Sequence, residues 1–600
     1  MRKIILTLIS ISLFALACND EAFLEKDPHT LTDRAFYTSV SGAQQGLIAT
    51  YDILQFGEDV QRIEFNGTVC SGDAMAGGEP GGNDQPSMQS IMKFIIFPNN
   101  AYVTSYWRMM YRGVYRCNLL LNYLDEESGA DLAAIEAGFP EDLREQIIGQ
   151  ALFLRGLYHF KLQINYGGFN DELNDASFGG AMMGVPFIDK VLPPDEWLQE
   201  RPTLSETWDK IEADFTRAAS LLHTRSEYPA EDMGRATKGA AQAMLAKSHL
   251  YQNEFEDAYQ AALQVVNSGE YALVGGPDYP GPFTITRSAK EGDVPVDVPG
   301  YKWIFQPEGN NSIEGIFEVQ HFQEGSTRYP QGGEGNLVPQ YYGPRNVWTY
   351  NTDGDLVSTG YFWGFILPTD YFVETAYDDI GCEVGDEILD PRFKLSVVSE
   401  GDSLPYYYTD ATLRETYPDS VLYDSWYNWP TTGRCTWKYF TDPMFSGANA
   451  ATLADYPQNT KYMRYADLLL IGAEAAIQSG HDADALTWVN LVRERARMCG
   501  NTGYPEALTS VTVEDVWAER RVELAFEGHQ YFDIVRTGRA QQVLKEDAMQ
   551  FSTMIHPDRG EEGVQQWGSS YQIGKHEIWP IPEEEMDNSE GSITQNPNYD

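Results

Sequence analysis

Apolar and polar residues alternate with a helical period through the first half of the chain, and that rhythm breaks down after about residue 275. From Pro140 or Asp142 onward, Leu143, Ile147, Ala151, Leu154, Tyr158 and Leu162 recur at steps of three and four. They predict a helix with one apolar stripe, closed by Gly167-Gly168. Thr203 or Ser205 caps a second helix through Trp208, Ile211, Phe215, Ala218 and Leu222. Glu206 lies in its first turn, where the exposed backbone N–H groups favour an anion.

A helical hairpin follows. Thr237 to Tyr251 carries Ala240, Ala241, Ala243, Ala246 and Leu250; after a break at Gln252-Asn253, Phe255, Ala258, Ala261, Ala262 and Val265 run to Ser268-Gly269. Small residues on facing sides let two helix axes approach closely, which is the logic of a tetratricopeptide repeat of about 34 residues. The arrangement returns late in the chain. Tyr465, Leu468, Ala473 and Ala476 lead to Ser479-Gly480, and Ala485, Trp488, Val489, Val492 and Ala496 form the second arm. Such pairs bury their faces only by stacking, so the early and late units are expected to meet in space.

Between them, from roughly Gly275 to Thr460, glycine, proline and aromatic residues crowd together: Tyr301, Trp303, Tyr341, Tyr342, Trp348, Tyr350, Tyr361, Phe362 and Trp363. Short strands such as Gly315 to Val319 are expected within a stretch that otherwise reads as loops, and long ordered loops usually carry function. Asn351-Thr-Asp353-Gly-Asp355 reads as a turn, since its glycine falls too early for a calcium loop of the EF-hand type.

The N-terminus has the three parts of an export signal: Arg2 and Lys3, an uncharged stretch from Ile4 to Leu16, and small residues before Cys18. That stretch is shorter than the ~20 residues a bilayer span requires. Cys18 marks a lipidation site; Ala15-Leu16-Ala17 also suits an ordinary signal peptidase, so plain secretion stays open. Both place the protein outside the cytoplasm.

Formal charge is −47, with 42 Lys+Arg against 89 Asp+Glu. That surface repels phosphate backbones and anionic lipid headgroups, excluding nucleic acid and any polybasic membrane contact. An anchor would have to be covalent, and a diacylglyceryl cysteine supplies the two chains that stable anchoring takes. The remaining cysteines, Cys70, Cys117, Cys382, Cys435 and Cys499, are scattered and odd in number, and no pair has zinc-knuckle spacing. They read mostly as buried thiols.

Several stretches, in order along the chain, resemble the SusD/RagB family of Bacteroidetes surface lipoproteins. Trp107-Arg-Met-Met-Tyr111 with Asn118 is similar to its early helix. Ala151-Leu-Phe-Leu-Arg155-Gly-Leu-Tyr158-His-Phe160 with Tyr166-Gly167 and Gly184-Val-Pro186 resembles its next segment, and Leu367-Pro-Thr369 with Asp390-Pro-Arg392 a third. Arg464-Tyr-Ala-Asp467, Ala473-Glu474-Ala475 and Arg493-x-Arg495-Ala496 resemble its late helices. Glu519-Arg-Arg521-x-Glu523-Leu-x-Phe526-Glu527-Gly528 with Tyr531-Phe-Asp533-x-x-Arg536 is the strongest match. Trp579-Pro-Ile581-Pro582 and Asn596-Pro597-x-Tyr599 close the chain.

The resemblance implies a mainly α fold, with four tetratricopeptide-like helix pairs and an irregular, loop-rich capping subdomain. Residues 1–17 would be a lipoprotein signal and 18–600 a SusD-like domain. Within it, a scaffold covers about 30–270 and 460–540, an insertion about 275–460, and a closing segment about 541–600. The resemblance also implies a lipid-anchored protein on the outer face of the outer membrane. It would bind oligosaccharides or other nutrients and act as a lid over a SusC-like TonB-dependent transporter. Asn19, Asp20 and Glu21 resemble the acidic surface-export tag of such lipoproteins. No cofactor is implied.

Arg155, Glu474, Arg493, Glu519, Arg521, Glu523 and Asp533 lie on helical segments at spacings suited to ion pairs between helices, which fix register rather than bind ligand. A sugar instead offers flat C–H faces and a rim of hydroxyls, which aromatic rings and directed polar groups satisfy. The insertion supplies rings, and the glycine-rich stretch from Asp73 to Gln89 supplies polar groups. The expected ligand contacts are Asp73, Asn83, Tyr341, Arg345, Trp348 and Trp363.

Catalysis has little support. His-Glu-x-x-His, Gly-x-Ser-x-Gly and phosphate-cradling Gly-x-x-x-x-Gly-Lys motifs are missing. A receptor is therefore expected, with two alternatives: a secreted glycan-processing hydrolase on a helical-repeat scaffold, or a lid that leaves all ligand contacts to the transporter.

Overall fold

The helical rhythm becomes a stack of antiparallel helices, α1 (Val40–Tyr51), α2 (Ala101–Leu124), α3 (Glu141–Leu162), α4 (Leu204–Leu221), α5 (Lys238–Tyr251) and α6 (Phe255–Ser268). After α7 (Asp370–Asp379), the stack resumes with α8 (Tyr465–Ser479), α9 (Asp482–Met498), α10 (Val513–Glu523) and α11 (Gln530–Arg536), and α12 (Glu583–Asn588) lies near the end. These are seen in a computed structural model that describes residues 32–62, 64, 66–77, 85–289, 292–323, 335–343, 348–350, 356–358, 362–384, 387–399, 402–405, 420–422, 432–440, 456–500, 502–544, 550–553, 563–566 and 570–599. The export signal, Cys18 and the turn at Asn351 to Asp355 lie outside the described residues. Among those described, no helix is long and apolar enough to cross a membrane.

Four helix pairs, α1/α2, α3/α4, α5/α6 and α8/α9, pack in succession, and α6 meets α8 directly although the whole insertion separates them in sequence. The starts are fixed by caps. Thr203 accepts from the Glu206 N–H while Glu206 accepts from the Thr203 N–H, closing a capping box at α4, and Thr237 accepts from the Ala240 N–H at α5. Gly269 and Gly480, both left-handed, end α6 and α8. The close approach of α6, α8 and α9 depends on Gly472. A Cβ there would stand 2.7 Å from the Trp488 ring and 3.1 Å from the Ala262 side chain.

Helix α3 departs from the single stripe its spacing predicts, because it is buried all round from Gln146 to Leu162. It is wrapped by α1, α2 and α4, so even its cations lie inside and need partners. Arg155 forms a forked pair with Asp214 of α4, at 2.6 and 2.8 Å, and also donates to Asn118 of α2 at 3.0 Å. Lys161 pairs with Glu64 at 2.6 Å.

The insertion is tied to the scaffold by short strands. Strands β1 (Ala74–Ala76), β2 (Gly315–Val319), β3 (Ile366–Pro368) and β4 (Thr460–Arg464) form two antiparallel pairs, β1 with β3 and β2 with β4. Lys461 stands opposite Glu318 in the second pair, and their side chains meet at 2.7 Å. Helix α7 interrupts a stretch expected to be loops. Thr369 caps it by accepting from the Phe372 N–H, and Phe372, Ala376 and Tyr377 are its buried face, too brief a stripe to stand out among so many aromatics.

The C-terminus folds back on the earlier segments. The Asn596 amide donates to the Tyr166 carbonyl at 2.7 Å and the Trp579 carbonyl at 2.6 Å, while Arg201 donates to its Oδ1 at 2.7 Å. Four of the described cysteines are buried as free thiols and Cys499 is half-buried.

Candidate functional site

The most charged helices turn inward. Arg464, at the start of α8, donates to Glu527 at 2.7 and 2.8 Å, to Glu523 at 2.6 Å and to Glu314 at 3.0 Å. Arg392 bridges Asp390, Glu519 and Glu523 at 2.7, 2.6 and 3.0 Å, and Arg495 also closes on Glu523. Burial opposes charge on Glu523, but Arg495, Arg464 and Arg392 outweigh it and hold the carboxyl far below its usual range. A second cluster joins Arg536 to Glu474 at 2.6 Å, and Arg520 to Asp467 at 2.9 Å and Asp533 at 3.1 Å. Every one of these groups is buried, so the motif residues are cross-braces between helices, and their charges are spent on one another.

A different cluster stands where β1 and β3 meet. Tyr341 lies in the short helix Val338–Tyr342, and the chain returns alongside it: the Trp363 N–H donates to the Gln340 carbonyl and the Phe365 N–H to the Tyr341 carbonyl, both at 2.7 Å. The three rings sit together, Tyr341 to Trp363 at 5.3 Å between centres, Trp363 to Phe365 at 5.4 Å and Tyr341 to Phe365 at 6.0 Å. Tyr341 is the buried floor, whereas Trp363 and Phe365 are half-buried.

Arg62 lies across this group. Its guanidinium is 5.0 Å from the Tyr341 ring centre, 5.8 Å from Tyr102 and 6.0 Å from Trp363, within cation–π range. It donates to the Tyr341 hydroxyl at 3.0 Å and the Tyr102 hydroxyl at 2.8 Å, and Tyr102 donates onward to the buried Gln85 carboxamide oxygen at 2.7 Å.

Both ends of the glycine-rich loop rest on this aromatic ledge. At one end the Gly77 N–H donates to the Phe365 carbonyl at 2.8 Å, and a Cβ on Gly77 would meet the Gly364 carbonyl oxygen at 2.2 Å, so only glycine fits. At the other end is Gln85, held by Tyr102.

Of the expected contacts, Tyr341 and Trp363 are brought together here. Asn83 and Arg345 lie outside the described residues, as does the side chain of Trp348, whose backbone pairs with Ser358 in a two-stranded turn. Asp73 is placed differently from expectation. It is 3% exposed, and Arg521 forks onto its Oδ1 at 2.7 and 3.0 Å, because the residue before β1 faces α10. That carboxylate braces the scaffold. Arg62, Tyr102, Gln85 and Phe365, which the structure places beside Tyr341 and Trp363, were not among the expected contacts. Gln85 and Tyr102 flank the glycine-rich loop and the start of α2, which is a usable signal, whereas nothing in the pattern around Arg62 distinguishes it.

Two other polar groupings belong to the scaffold. A cavity of about 80 Å³, bounded in part by Glu64, Lys161, Lys247 and His529, has room for a few waters, and its lysines pair with Glu64 and Asp467. His249 Nδ1 sits 2.6 Å from Glu254 and 3.3 Å from Glu212. Burial disfavours its charge, but hydrogen bonds to Glu212 and Glu254 raise its pKa to about 9. It is an imidazolium tying α4, α5 and α6 together.

With this geometry in view, the chain can be set beside known proteins. A family profile described as "SusD family" matches residues 314–599, and a second, described as "Starch-binding associating with outer membrane", matches residues 83–250. The chain belongs to the SusD/RagB family. A SusD-like protein of Formosa agariphila is 25% identical over 562 residues, covering 90% of this chain and 92% of that protein. A second from the same organism is 22% identical over 558 residues, covering 89% and 90%. Among solved structures, a protein titled "Laminarin binding SusD-like protein" superposes with a TM-score of 0.66 at 25% identity, covering 94% of this chain and all of its own. Surface glycan-binding protein A from Bacteroides thetaiotaomicron, solved with laminarihexaose, gives 0.64 at 21% identity, covering 93% and 99%, and so shares the SusD fold. The titles of the two solved structures name them as binding proteins.

Proposed function

We propose that this SusD-family chain is a non-catalytic carbohydrate receptor that holds an oligosaccharide against the ledge of Arg62, Tyr102, Trp363 and Phe365. One observation carries the reading: both feet of the glycine-rich loop stand on that ledge, Gly77 on Phe365 and Gln85 on Tyr102. Half-buried rings can cover the C–H faces of a sugar, while the Arg62 guanidinium and the Tyr102 hydroxyl meet its rim. Arg62 replaces Asp73 in the ligand set, and Asn83, Arg345 and Trp348 complete it from neighbouring positions in the sequence. The laminarin-binding neighbour makes laminarin the first polymer to try.

The wider role is that of the family. A lipid on Cys18 tethers the receptor to the outer surface of the outer membrane, where it delivers its cargo to a SusC-like TonB-dependent transporter. The family description that speaks of association with the outer membrane supports the membrane location alone.

Affinity electrophoresis through laminarin tests the site. Wild type is expected to be retarded, and the Trp348→Ala/Trp363→Ala double variant to be retarded far less with a nearly unchanged melting temperature. Undiminished retardation of the double variant contradicts the choice of site. Prolonged incubation with laminarin is expected to release no new reducing ends.

A further inference from the structure

Helix α2 turns Tyr102 toward the ledge, but roughly half a turn around it Thr104, Trp107, Arg108 and Tyr111 form a second stripe. That stripe floors a separate groove of about 650 Å³, the size of a small-ligand site. One wall is the segment carrying Trp197 and Leu198, and the other is α12 with the residues after it. No part of this groove is shared with the ledge except the helix between them.

Trp197 is the unusual member. It is 66% exposed, and Leu198 beside it is 51% exposed, although water disfavours both. The indole N–H already donates to the Leu192 carbonyl at 3.2 Å, which fixes the ring and leaves a flat apolar face turned to solvent. Deeper in, the Trp107 and Tyr111 rings are 4.8 Å apart, and the Tyr111 hydroxyl is occupied by the Pro186 carbonyl at 2.8 Å. Trp107 and Tyr111 therefore give the floor a packed aromatic patch.

The rim is polar and acidic. Arg108 pairs with Glu584 at 2.6 Å, both well exposed, and Glu585, Asn588 and Glu590 stand close by. Three carboxylates against one guanidinium repel sulfated, uronate or phosphate-bearing ligands. The combination of a fixed indole face, a concave floor with an aromatic patch and exposed hydrogen-bonding groups suits a neutral sugar chain better than a flat protein surface.

We propose that this groove is a second carbohydrate subsite, taking a neutral oligosaccharide with one sugar face laid on Trp197. It borrows from the proposed function only the class of ligand, and its residues are independent of the ledge. Two sites on opposite sides of one helix would let a long polysaccharide be held twice, which raises retention of polymer far above that of a short fragment.

The test is calorimetric titration of the full chain with laminarihexaose, comparing wild type with Trp197→Ala, Trp363→Ala and the double variant. Because Trp197 is largely exposed, Trp197→Ala is expected to melt where wild type does. Two sites per chain are expected in wild type, one in each single variant and none in the double. A single wild-type site that disappears with Trp363→Ala and ignores Trp197→Ala overturns the groove and leaves the ledge standing. Loss of one site with Trp197→Ala and no effect of Trp363→Ala sinks the ledge and keeps the groove. No heat from wild type at all rejects both. A Trp197→Ala variant with unaltered sugar binding that no longer co-purifies with a membrane protein assigns the surface to protein contact and overturns the subsite.

Discussion

The braced core beneath α10 and the ledge around Arg62 both use arginine, and they use it in opposite ways. In the core, Arg464, Arg392 and Arg495 each close on two or more carboxylates, all buried, so positive and negative charge cancel within a few ångströms. At the ledge, Arg62 spreads over ring faces and phenol oxygens on a half-buried surface. Full pairing gives a rigid register between helices, because unpairing a buried ion is costly. At the ledge, ring faces and phenol oxygens are among the partners of the guanidinium. The residues that mark the family are thus its braces, while the residues proposed to meet the ligand sit on a surface with no comparable signature.

That contrast can be broken by substitution. The largest effect is expected from Arg464→Met, which takes one buried guanidinium away from Glu314, Glu523 and Glu527 together and leaves them Arg495, Arg392 and Lys438. Urea unfolding should show a loss of about 3–5 kcal/mol, and a loss below 1 kcal/mol would mean the braces are dispensable. Trp363→Ala should weaken glycan binding by roughly thirtyfold, about 2 kcal/mol, as an aromatic anchor does, with little change in unfolding. Asp73→Asn should do the reverse, costing about 2 kcal/mol of stability through the weakened Arg521 bond while titrations with glycan stay as in wild type. Arg62→Lys removes the planar fork and its ring contacts but keeps the charge. Affinity should fall by roughly fivefold, near 1 kcal/mol.

The smallest effect is a two-sided pH dependence of the melting temperature. Burial, followed by nearby Lys247, lowers His529 from 6.5 to about 4. Its contribution is complete above pH 6.5 and is lost as pH falls through 4. His249 is raised from 6.5 to about 9, so its contribution is complete below pH 6.5 and is lost as pH rises through 9. Replacing His249 by Gln should flatten the alkaline limb alone, measured by calorimetry across that range.

Much of the scaffold was legible in the sequence because helices announce themselves locally. Thr203 with Glu206, Thr237, Gly269 and Gly480 mark ends by short-range hydrogen bonds and backbone conformation. The stacking of α6 on α8 was foreshadowed by alanines that could only serve a close neighbour. Helix α7 was missed, since its apolar stripe is Phe372, Ala376 and Tyr377 amid other aromatics. The all-round burial of α3 was missed as well. Arg155 reads as an ion-pair partner between helices, which Asp214 supplies, whereas Lys161 looks like a solvent face until Glu64 is seen to meet it. The ledge was legible only in part. Ring-forming residues in an irregular stretch point to Trp363, but partnership across long sequence separations decides that Asp73 faces Arg521 and that Arg62 reaches Tyr341. No spacing rule encodes either choice.

The account stands most directly on one paired measurement: laminarin affinity and urea stability of Trp363→Ala and Asp73→Asn, determined side by side with wild type. It predicts that Trp363→Ala loses affinity and keeps its stability, while Asp73→Asn loses stability and keeps its affinity. If Asp73→Asn instead loses binding without unfolding, and Trp363→Ala binds as wild type does, the assignment of brace and ledge is wrong.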